Sequence, residues 1–421
     1  MKKILLFLLV SLSVFSCARK SDNLIEGLME AHPDQFNDIL QNKDRYEVQV
    51  IYTQIDRNEK NEPSFRSYYF NVDSSRYFYP ASTVKFPLVL LSLEKLHRLN
   101  VDKLDKFTPV FHDSLYAGQR SVAQDTTAEN RLPSVAHYAK KILVVSDNDA
   151  YNRLYEFMGQ SEVNKILHEK GYTATRILHR LERPLSREEN AHTEAVRFMN
   201  GNTLVYGQPM LVNNPLIEVK EKILKGKGFK RRDSLINEPF DFTYKNFFPL
   251  NEQQELLRAF LFPASVAEQK RFDLTEDDRA FVLKYMSQLP TETIFPPYYA
   301  DTSYHDASCK FLMFGNGHEA IPENIRIFNK IGDAYGFLID NAYVVDFKNG
   351  VEFMLSAVIN TNTDEIYNDG KYAYRELGFP FMKNLGQVIY EHELTRVRKH
   401  KPDLSAFKLV YDRSKQQAVG N

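Results

Sequence analysis

The two ends of this chain carry strand-like patterns, and the long stretch between them carries helical patterns. Residues 46–56 and 64–72 are rich in β-branched and aromatic residues and flank the turn-like segment 57–63, which predicts a β-hairpin. Two similar runs on either side of the turn KNG predict a second hairpin over residues 336–361. From about residue 85 to 289, apolar residues recur at helical intervals instead. The order predicts an α+β fold, in which both ends build one antiparallel sheet flanked by helices and an all-helical block is inserted between them.

The same patterns set the expected boundaries within the chain. The sheet-forming part is expected at about residues 46–81 and 310–400, and the helical part at about 82–309. An extra insertion is expected at about residues 200–270, a segment rich in Pro, Asn, Lys and Phe that could form a lid, a partner surface or a simple extension. Residues 401–421 are expected to form a polar tail. A cleft between the two parts is the expected place for an active site.

Composition and charge exclude several classes of function. With 421 residues, of which 43% are hydrophobic and 26% charged, the chain has an ordinary folded composition. Its formal net charge of −1 gives no support for nucleic-acid binding. The 11 histidines are scattered without metal-binding spacing. We therefore expect no nucleic-acid partner, no metal and no cofactor, and we expect a monomer.

The N-terminus has the features of an export signal. Two lysines precede an apolar run, from Ile4 to Phe15, that is too short to span a membrane well. The ending VFSC resembles the lipobox of bacterial lipoproteins, in which the Cys becomes lipidated; the alternative is a plain secretory signal with an incidental Cys17. We expect a signal peptide at 1–16, a lipidated N-terminus with the first helix at 17–45, and a periplasmic or cell-surface protein anchored to a bacterial membrane through Cys17.

The second cysteine of the chain is Cys309. With Cys17 lipidated, Cys309 would have no partner, so no intramolecular disulfide is expected. A single Cys in an exported protein could be a nucleophile. The apolar, strand-like sequence SCKFLMF around it favours a buried structural thiol instead.

Three short polar elements interrupt these patterns at places where side chains can reach a cleft. Ser82 and Lys85 form a Ser-x-x-Lys pair where the first hairpin gives way to a helix, so that Lys85 lies about one helical turn beyond Ser82. The tripeptide SDN at 146–148 separates two predicted helices, and KIG at 330–332 leads into the second hairpin. Serine and SDN also serve as ordinary helix caps, and a lysine is usually a solvated charge. The three elements together favour a functional interpretation.

In chain order the elements read S-x-x-K, S-D-N and K-x-G, the set carried by class A β-lactamases and penicillin-binding proteins. The chain therefore resembles a class A β-lactamase-like serine hydrolase, from the N-terminal helix and hairpin through to the closing sheet and C-terminal helix. The resemblance implies a catalytic domain over residues 46–400. It also implies a small-molecule β-lactam or a cell-wall peptide as substrate.

The resemblance further implies the residues that perform acylation. Ser82 is the nucleophile, and Lys85 accepts its proton if burial and nearby cations lower the lysine pKa. Ser146 relays a proton to the leaving nitrogen.

Substrate binding is implied for a second set of residues. Asn148 holds the amide side chain of the substrate, and Lys330 supplies positive charge to a substrate carboxylate. The backbone N–H groups of Ser82 and Asp333 form the oxyanion hole. Gly332 allows the substrate to approach the strand backbone closely.

The chain departs from the family pattern in two motifs. In the loop RLERPLSREEN, Arg180 and Glu182 occupy the positions of a structural ion pair, but the Glu-x-x-Leu-Asn that supplies the deacylation base does not follow. Glu188 or Glu189, which come a few residues later, are the candidate bases. Ile331 replaces a Thr or Ser whose hydroxyl would bond a substrate carboxylate.

Three functions remain open from the sequence. The first is an exported serine hydrolase that opens β-lactams through a Ser82 acyl-enzyme. The second is a peptidoglycan-directed peptidase or an esterase, which would fit Ile331 and the missing Glu-x-x-Leu-Asn. The third is a non-catalytic lipoprotein that binds glycan or protein, which should have lost catalytic residues that this chain retains.

Overall fold

The computed structural model of the chain describes residues 23–116 and 120–413. The proposed signal peptide and Cys17 lie outside the described residues. The helices are α1 (Leu24–Glu30), α2 (Pro33–Gln41), α3 (Lys85–Leu99), α4 (Val135–Val145), α5 (Asn148–Met158), α6 (Gln160–Glu169), α7 (Arg187–Ala191), α8 (Leu250–Leu261), α9 (Glu276–Ser287) and α10 (Phe379–Thr395). The strands are β1 (Gln49–Arg57), β2 (Pro63–Phe70), β3 (Val110–His112), β4 (Val196–Asn200), β5 (Thr203–Gln208), β6 (Leu224–Lys225), β7 (Gly228–Arg231), β8 (Ser234–Ile236), β9 (Phe240–Asp241), β10 (Ile325–Ala334), β11 (Phe337–Asp346), β12 (Val351–Asn360) and β13 (Ile366–Tyr367).

A five-stranded sheet joins the two ends of the chain. Its strand order is β10-β11-β12-β1-β2, and every neighbouring pair is antiparallel. The first hairpin, β1–β2, pairs with the C-terminal strands through β1 and β12. The predicted α+β fold, with one antiparallel sheet built from both ends and flanked by helices, is confirmed.

Both faces of the sheet are buried because successive side chains of a strand point to opposite sides. On β12, Met354 and Val358 join the core that contains the middle helices, including α3, α5 and α8. Phe353 and Leu355 join a second core with α1, α2 and α10. The sheet is therefore sandwiched between the helical block and the terminal helices, and β10 lies at its edge beside the helical block.

The middle block contains strands as well as helices, which corrects the all-helical prediction. β3, β4 and β5 form a three-stranded sheet, and four short strands lie within residues 224–241. The hairpin β4–β5 pairs Asn200 with Thr203 across a tight turn that begins at Gly201. Glycine permits the positive φ of 57° that this turn requires, so the Gly-Asn pair at 201–202 was a hairpin signal within the helical stretch.

The segment after α10 is packed against the protein up to residue 413, which corrects the prediction of a simple polar tail. Leu404 and Phe407 are buried in the core. Asp412 accepts hydrogen bonds from Lys140 at 2.6 Å and forms an ion pair with Lys284 at 2.7 Å. The segment thereby fastens α4 to α9. Across the described residues, no helix has the length and apolar character needed to cross a membrane.

Candidate active site

Ser82 lies on a strained turn that leads directly into α3. A single 3-10 turn, Ala81–Val84, precedes the helix, and the Thr83 hydroxyl donates to the carbonyl of Pro80 at 2.7 Å. Ala81 has a φ of +46°, a conformation that costs a non-glycine residue about 1–3 kcal/mol. Within the described part of the chain, the Ser82 hydroxyl has no hydrogen-bond partner, and it lines a cavity. The turn thus presents an accessible, unpaired hydroxyl.

Lys85 is fully buried at the start of α3, with 0% of its surface exposed. Its side-chain nitrogen donates to the Ser146 carbonyl and, at 3.2 Å, to the Ser146 hydroxyl. Burial, followed by the nearby Lys330 cation, holds the pKa of Lys85 well below its usual value. A neutral lysine amine at this place can accept a proton.

Ser146 joins Lys85 to Lys330. It ends α4 in a left-handed conformation with φ of 62°. Lys330 on β10 donates to the Ser146 hydroxyl at 2.8 Å and to the Ile331 carbonyl at 2.9 Å. Burial lowers the pKa of Lys330 to about 8. The structure therefore brings the three motifs of the sequence together at the Ser146 hydroxyl, which accepts hydrogen bonds from the amines of Lys85 and Lys330.

The SDN turn serves two purposes at once. Asp147 caps α5, since its carboxylate accepts a hydrogen bond from the Ala150 N–H at 2.7 Å. Asn148, the first residue of α5, lines the same cavity as Ser82. The capping interpretation thus holds for Asp147, whereas Ser146 and Asn148 face the site.

The cavity beside Ser82 has a volume of about 450 Å³, within the range of small-molecule sites. Of the predicted residues, Ser82, Asn148 and Asp333 line it. Its other lining residues, which the sequence analysis did not single out for this site, are Tyr79, Ala81, Leu181, Glu182, Ala334, Tyr335, Asn368, Gly370 and Tyr372. No cluster of acidic, His or Cys side chains in residues 23–116 and 120–413 is arranged to hold a metal ion.

Gly332 is required by close packing within the protein, between β10 and the turn that carries Ser82. A Cβ at this position would lie 2.7 Å from the Pro80 oxygen and 3.0 Å from the Ser82 nitrogen. The strand and the nucleophile turn pack too closely for any side chain between them. The family resemblance implies that a substrate approaches closely here, and the structure shows that the near neighbour is the Ser82 turn. This packing sets the backbone before Asp333 against the Ser82 amide, as an oxyanion hole formed by these two residues requires.

The loop after α6 departs from the sequence prediction. Arg180 pairs with Glu156 at 2.7 Å rather than with Glu182. Glu189 completes a capping box with Ser186 at the start of α7, and Glu188 is exposed on the same short helix. The structure does not bring these two glutamates into the cavity of Ser82.

Glu182 is the glutamate of this loop that lines the cavity. Asn152 on α5 holds the preceding residue: its side chain accepts from the Leu181 N–H at 2.9 Å and donates to the Leu181 carbonyl at 3.0 Å. Glu182 itself has a φ of +54°, which is unusual for a residue with a side chain. The sequence signal for Glu182 was the RLER motif. That motif was interpreted as an ion pair between Arg180 and Glu182, so Glu182 was not considered as a base.

Ile331 and Cys309 are both structural. Ile331 is 4% exposed and joins the core on the side of the sheet that α10 covers. Ile331 stands where a hydroxyl residue is usual in the family, but its side chain is not among the residues that line the cavity. Cys309 is 8% exposed, and burial raises the pKa of its thiol, which keeps the thiol protonated.

Comparisons with known proteins found one matching family model and a set of similar solved structures. Residues 33–213 match the model of the beta-lactamase enzyme family, a match that ends before Lys330. No curated protein matches the chain in sequence.

Similar solved structures include a beta-lactamase from Sphaerobacter thermophilus DSM 20745, at 11% identity and a TM-score of 0.46, covering 88% of this chain and 96% of that one. A class A beta-lactamase from Clostridium kluyveri DSM 555 has 12% identity and a TM-score of 0.45, with 85% of this chain and 97% of that one covered. The structure of PBP-A has 15% identity and a TM-score of 0.44, with 85% and 95% covered.

The family match and the site geometry are independent observations. The matched segment contains Ser82, Lys85, Ser146 and Asn148. The fold adds Lys330 to these residues through β10, from outside the matched segment. Residues 33–213 of this chain are thus similar to the beta-lactamase enzyme family.

Proposed function

We propose that the chain is an exported serine hydrolase that opens the amide bond of β-lactams through an acyl-enzyme at Ser82. The observation that carries the proposal is the hydrogen-bonded series Lys85–Ser146–Lys330, together with a Ser82 hydroxyl that lines the cavity and has no hydrogen-bond partner among the described residues. A serine hydroxyl is a weak nucleophile until a neighbouring base activates it. Lys85, with its lowered pKa, supplies that base. Export and lipid anchorage at Cys17 are supported by the sequence of residues 1–17.

Acylation uses these groups in sequence. The Ser82 oxygen bonds to the substrate carbonyl carbon while its proton passes to the amine of Lys85. The carbonyl electron pair moves onto oxygen, where the N–H groups of Ser82 and Asp333 stabilise it. When the C–N bond breaks, the nitrogen takes the Ser146 proton, and Lys330 replaces that proton through its 2.8 Å hydrogen bond. With a β-lactam, the product is a Ser82 ester of the ring-opened substrate, whose new amine remains attached to the acyl group.

Deacylation requires a base that reaches the ester. Glu182 lines the cavity with Ser82, whereas Glu188 and Glu189 do not. Glu182 takes a proton from a water molecule as the water oxygen bonds to the ester carbonyl carbon. Collapse of that intermediate returns the proton to the Ser82 oxygen and releases the acid.

A second candidate is an amide or ester hydrolase of the same mechanism whose substrate carries no carboxylate. The observation that favours it is the pair of acidic residues, Glu182 and Asp333, in the cavity wall. Burial raises the pKa of Asp333, Lys330 and Lys85 oppose that shift, and the negative charge of Glu182 adds to it. The two acidic side chains disfavour a substrate carboxylate on their side of the cavity. The tyrosines Tyr79, Tyr335 and Tyr372 suit a neutral or cationic group instead.

Hydrolysis rates with a chromogenic cephalosporin and with a neutral chromogenic ester separate the two candidates. Turnover of the cephalosporin that is lost in Ser82→Ala supports the β-lactamase. Ser82-dependent turnover of the ester alone supports the second candidate. Turnover of either compound that persists in Ser82→Ala contradicts the mechanism.

A further inference from the structure

A second cavity, of about 300 Å³, adjoins the loop that carries Glu182. Leu178 and Pro184 of that loop form part of its wall, and Leu216, Ile217 and Tyr244 of the extra insertion form another part. At roughly 30 Å³ for each water in the liquid, the space holds a ligand of about ten non-hydrogen atoms. The insertion, whose role the sequence left open, thus helps to enclose a site for a small molecule.

This cavity and the cavity of Ser82 are close neighbours. Tyr79 lines the Ser82 cavity and His179 lines the second one. Their rings stack with centroids 6.0 Å apart and planes within 6°. Leu181 and Glu182 face the first cavity, whereas Arg183 and Pro184 face the second. A ligand in the second cavity would therefore contact the chain directly beside Glu182.

Lys245 gives the second cavity an uncompensated charge. It is half-buried in the wall, and among the described residues its ammonium group has no carboxylate or hydrogen-bond partner. The ring of Phe240 lies 6.0 Å from the nitrogen. Burial lowers the pKa of Lys245, because a partly desolvated cation without a counter-ion is unfavourable. An anion beside it would recover that cost.

The other charged groups of the wall leave the balance positive. Arg187 is paired with Glu218 at 2.8 Å, and its guanidinium lies 3.6 Å above the ring of Tyr244. Arg183 also lines the cavity, and Asp241 is the acidic residue of the lining.

His179 adds no charge to the cavity, but it has an unused hydrogen-bonding atom. Burial lowers its pKa to about 3, so the ring is neutral. Its Nδ1 lies 2.6 Å from the Arg180 carbonyl, which makes Nδ1 the protonated nitrogen. Nε2 is buried and has no partner in the described structure. It is an unused acceptor in a wall that also contains Lys245 and the apolar side chains of Leu178, Leu216 and Ile217.

We propose that this cavity binds a small ligand with a single carboxylate, which pairs with Lys245, and an apolar body, which packs against Leu178, Leu216 and Ile217. One uncompensated ammonium group beside apolar walls suits a monoanion better than a dianion such as phosphate. The carboxylate belongs either to a separate small acid or to the far end of a substrate whose carbonyl lies at Ser82.

Titration of the purified chain with hexanoate and with the uncharged hexanamide tests the site, by ligand-observed NMR at pH 7. We expect hexanoate to bind at least tenfold more tightly than hexanamide, and Lys245→Met to remove that difference. Lys222→Met, at an exposed lysine of the same insertion that does not line the cavity, should keep it. Equal binding of the two compounds, tighter binding of inorganic phosphate, or no effect of Lys245→Met would overturn the proposal. This test does not depend on catalysis.

Inhibition kinetics distinguish the two sources of the carboxylate. Competitive inhibition of hydrolysis by hexanoate, lost in Lys245→Met, identifies the site as the distal part of the substrate site. A change in kcat without competition, also lost in Lys245→Met, identifies a separate ligand that acts through the Glu182 loop. An effect of hexanoate that persists in Lys245→Met contradicts both.

Discussion

At the scale of single residues, the site depends on two buried lysines that share the hydroxyl of Ser146. Lys85 and Lys330 both donate to it, at 3.2 and 2.8 Å. Two cations so close together repel each other, and the lowered pKa of each lysine reflects burial, with Lys330 lowering that of Lys85 further. The arrangement leaves one lysine free to act as a base while the other keeps its proton.

Replacing Lys85 by Met should separate catalysis from folding. Acylation should fall by about 10²–10⁴-fold because the base is lost. The free energy of unfolding should not decrease, since Met fills a similar volume and Lys85 has no carboxylate partner among the described residues. Rates of adduct formation and urea unfolding of the same preparations measure both quantities. Unfolding of the variant, or normal acylation, would show that Lys85 is structural.

The pH dependence of acylation should report on Lys330. Its pKa of about 8 means that it is charged below that pH and loses its charge above it. If the charge holds the substrate and supplies the Ser146 proton, the rate should fall as the pH rises through about 8. Lys330→Met should be slower and should lack this alkaline fall. An unchanged alkaline limb in Lys330→Met would assign that limb to another group.

At the scale of elements, the loop between α6 and α7 carries Glu182, the base that we propose for hydrolysis of the acyl-enzyme. Two residues of α5 hold it: Asn152 bonds both backbone groups of Leu181, and Glu156 pairs with Arg180 and accepts from the Glu194 N–H at 2.6 Å. The strained backbone of Glu182 is maintained by these anchors. The position of this carboxylate is therefore set by side chains that are distant in sequence.

Glu182→Gln should lengthen the lifetime of the acyl-enzyme by about 10²–10⁴-fold, because the base that activates water is removed while the loop anchors remain. Glu188→Gln is the matched control, since Glu188 is exposed on α7 and outside the cavity lining. Decay of the adduct after removal of free substrate measures the lifetime. A long-lived adduct in Glu188→Gln and a normal one in Glu182→Gln would return the role to the residue predicted from the sequence.

The sequence alone predicted those features that depend on residues close together in the chain. Ser82, Lys85, Ser146 and Lys330 could be found because each lies in a short motif at a junction between elements, and the hairpins of the sheet follow from alternation. Glu182 carries a sequence signal that was missed, because Glu182-Arg183-Pro184-Leu185 matches the Glu-x-x-Leu of the family loop with Ser186 in place of the Asn. The cavity of Lys245 could not be predicted, because its walls join segments that meet only in the fold.

At the scale of the whole molecule, the C-terminal segment joins helices that flank the site. Asp412 bridges Lys140 of α4 and Lys284 of α9, and α4 carries Ser146 at its end. These hydrogen bonds lower the pKa of Asp412 to about 2. Because the usual value of 3.8 applies in the unfolded chain, the stabilisation is complete above about pH 4 and is lost as the pH falls towards 2.

Asp412→Asn should lower the free energy of unfolding at pH 7 by about 2 kcal/mol, the value of a pKa shift of this size. The difference from the original chain should shrink as the pH approaches 2. Asp102→Asn, at an exposed aspartate without an ion pair among the described residues, should change stability little. Urea unfolding across this pH range measures the effect, and a difference that does not depend on pH would contradict the assigned ion pairs.

The central claim is that Ser82 forms a covalent ester with a substrate carbonyl. Intact-protein mass spectrometry after incubation with a penicillin, followed by peptide mapping, tests it most directly. We predict an adduct with the added mass of the penicillin on the peptide that contains Ser82, absent in Ser82→Ala and strongly slowed in Lys85→Met. An adduct on another residue, or an unmodified chain with penicillins and with neutral activated esters alike, would contradict it.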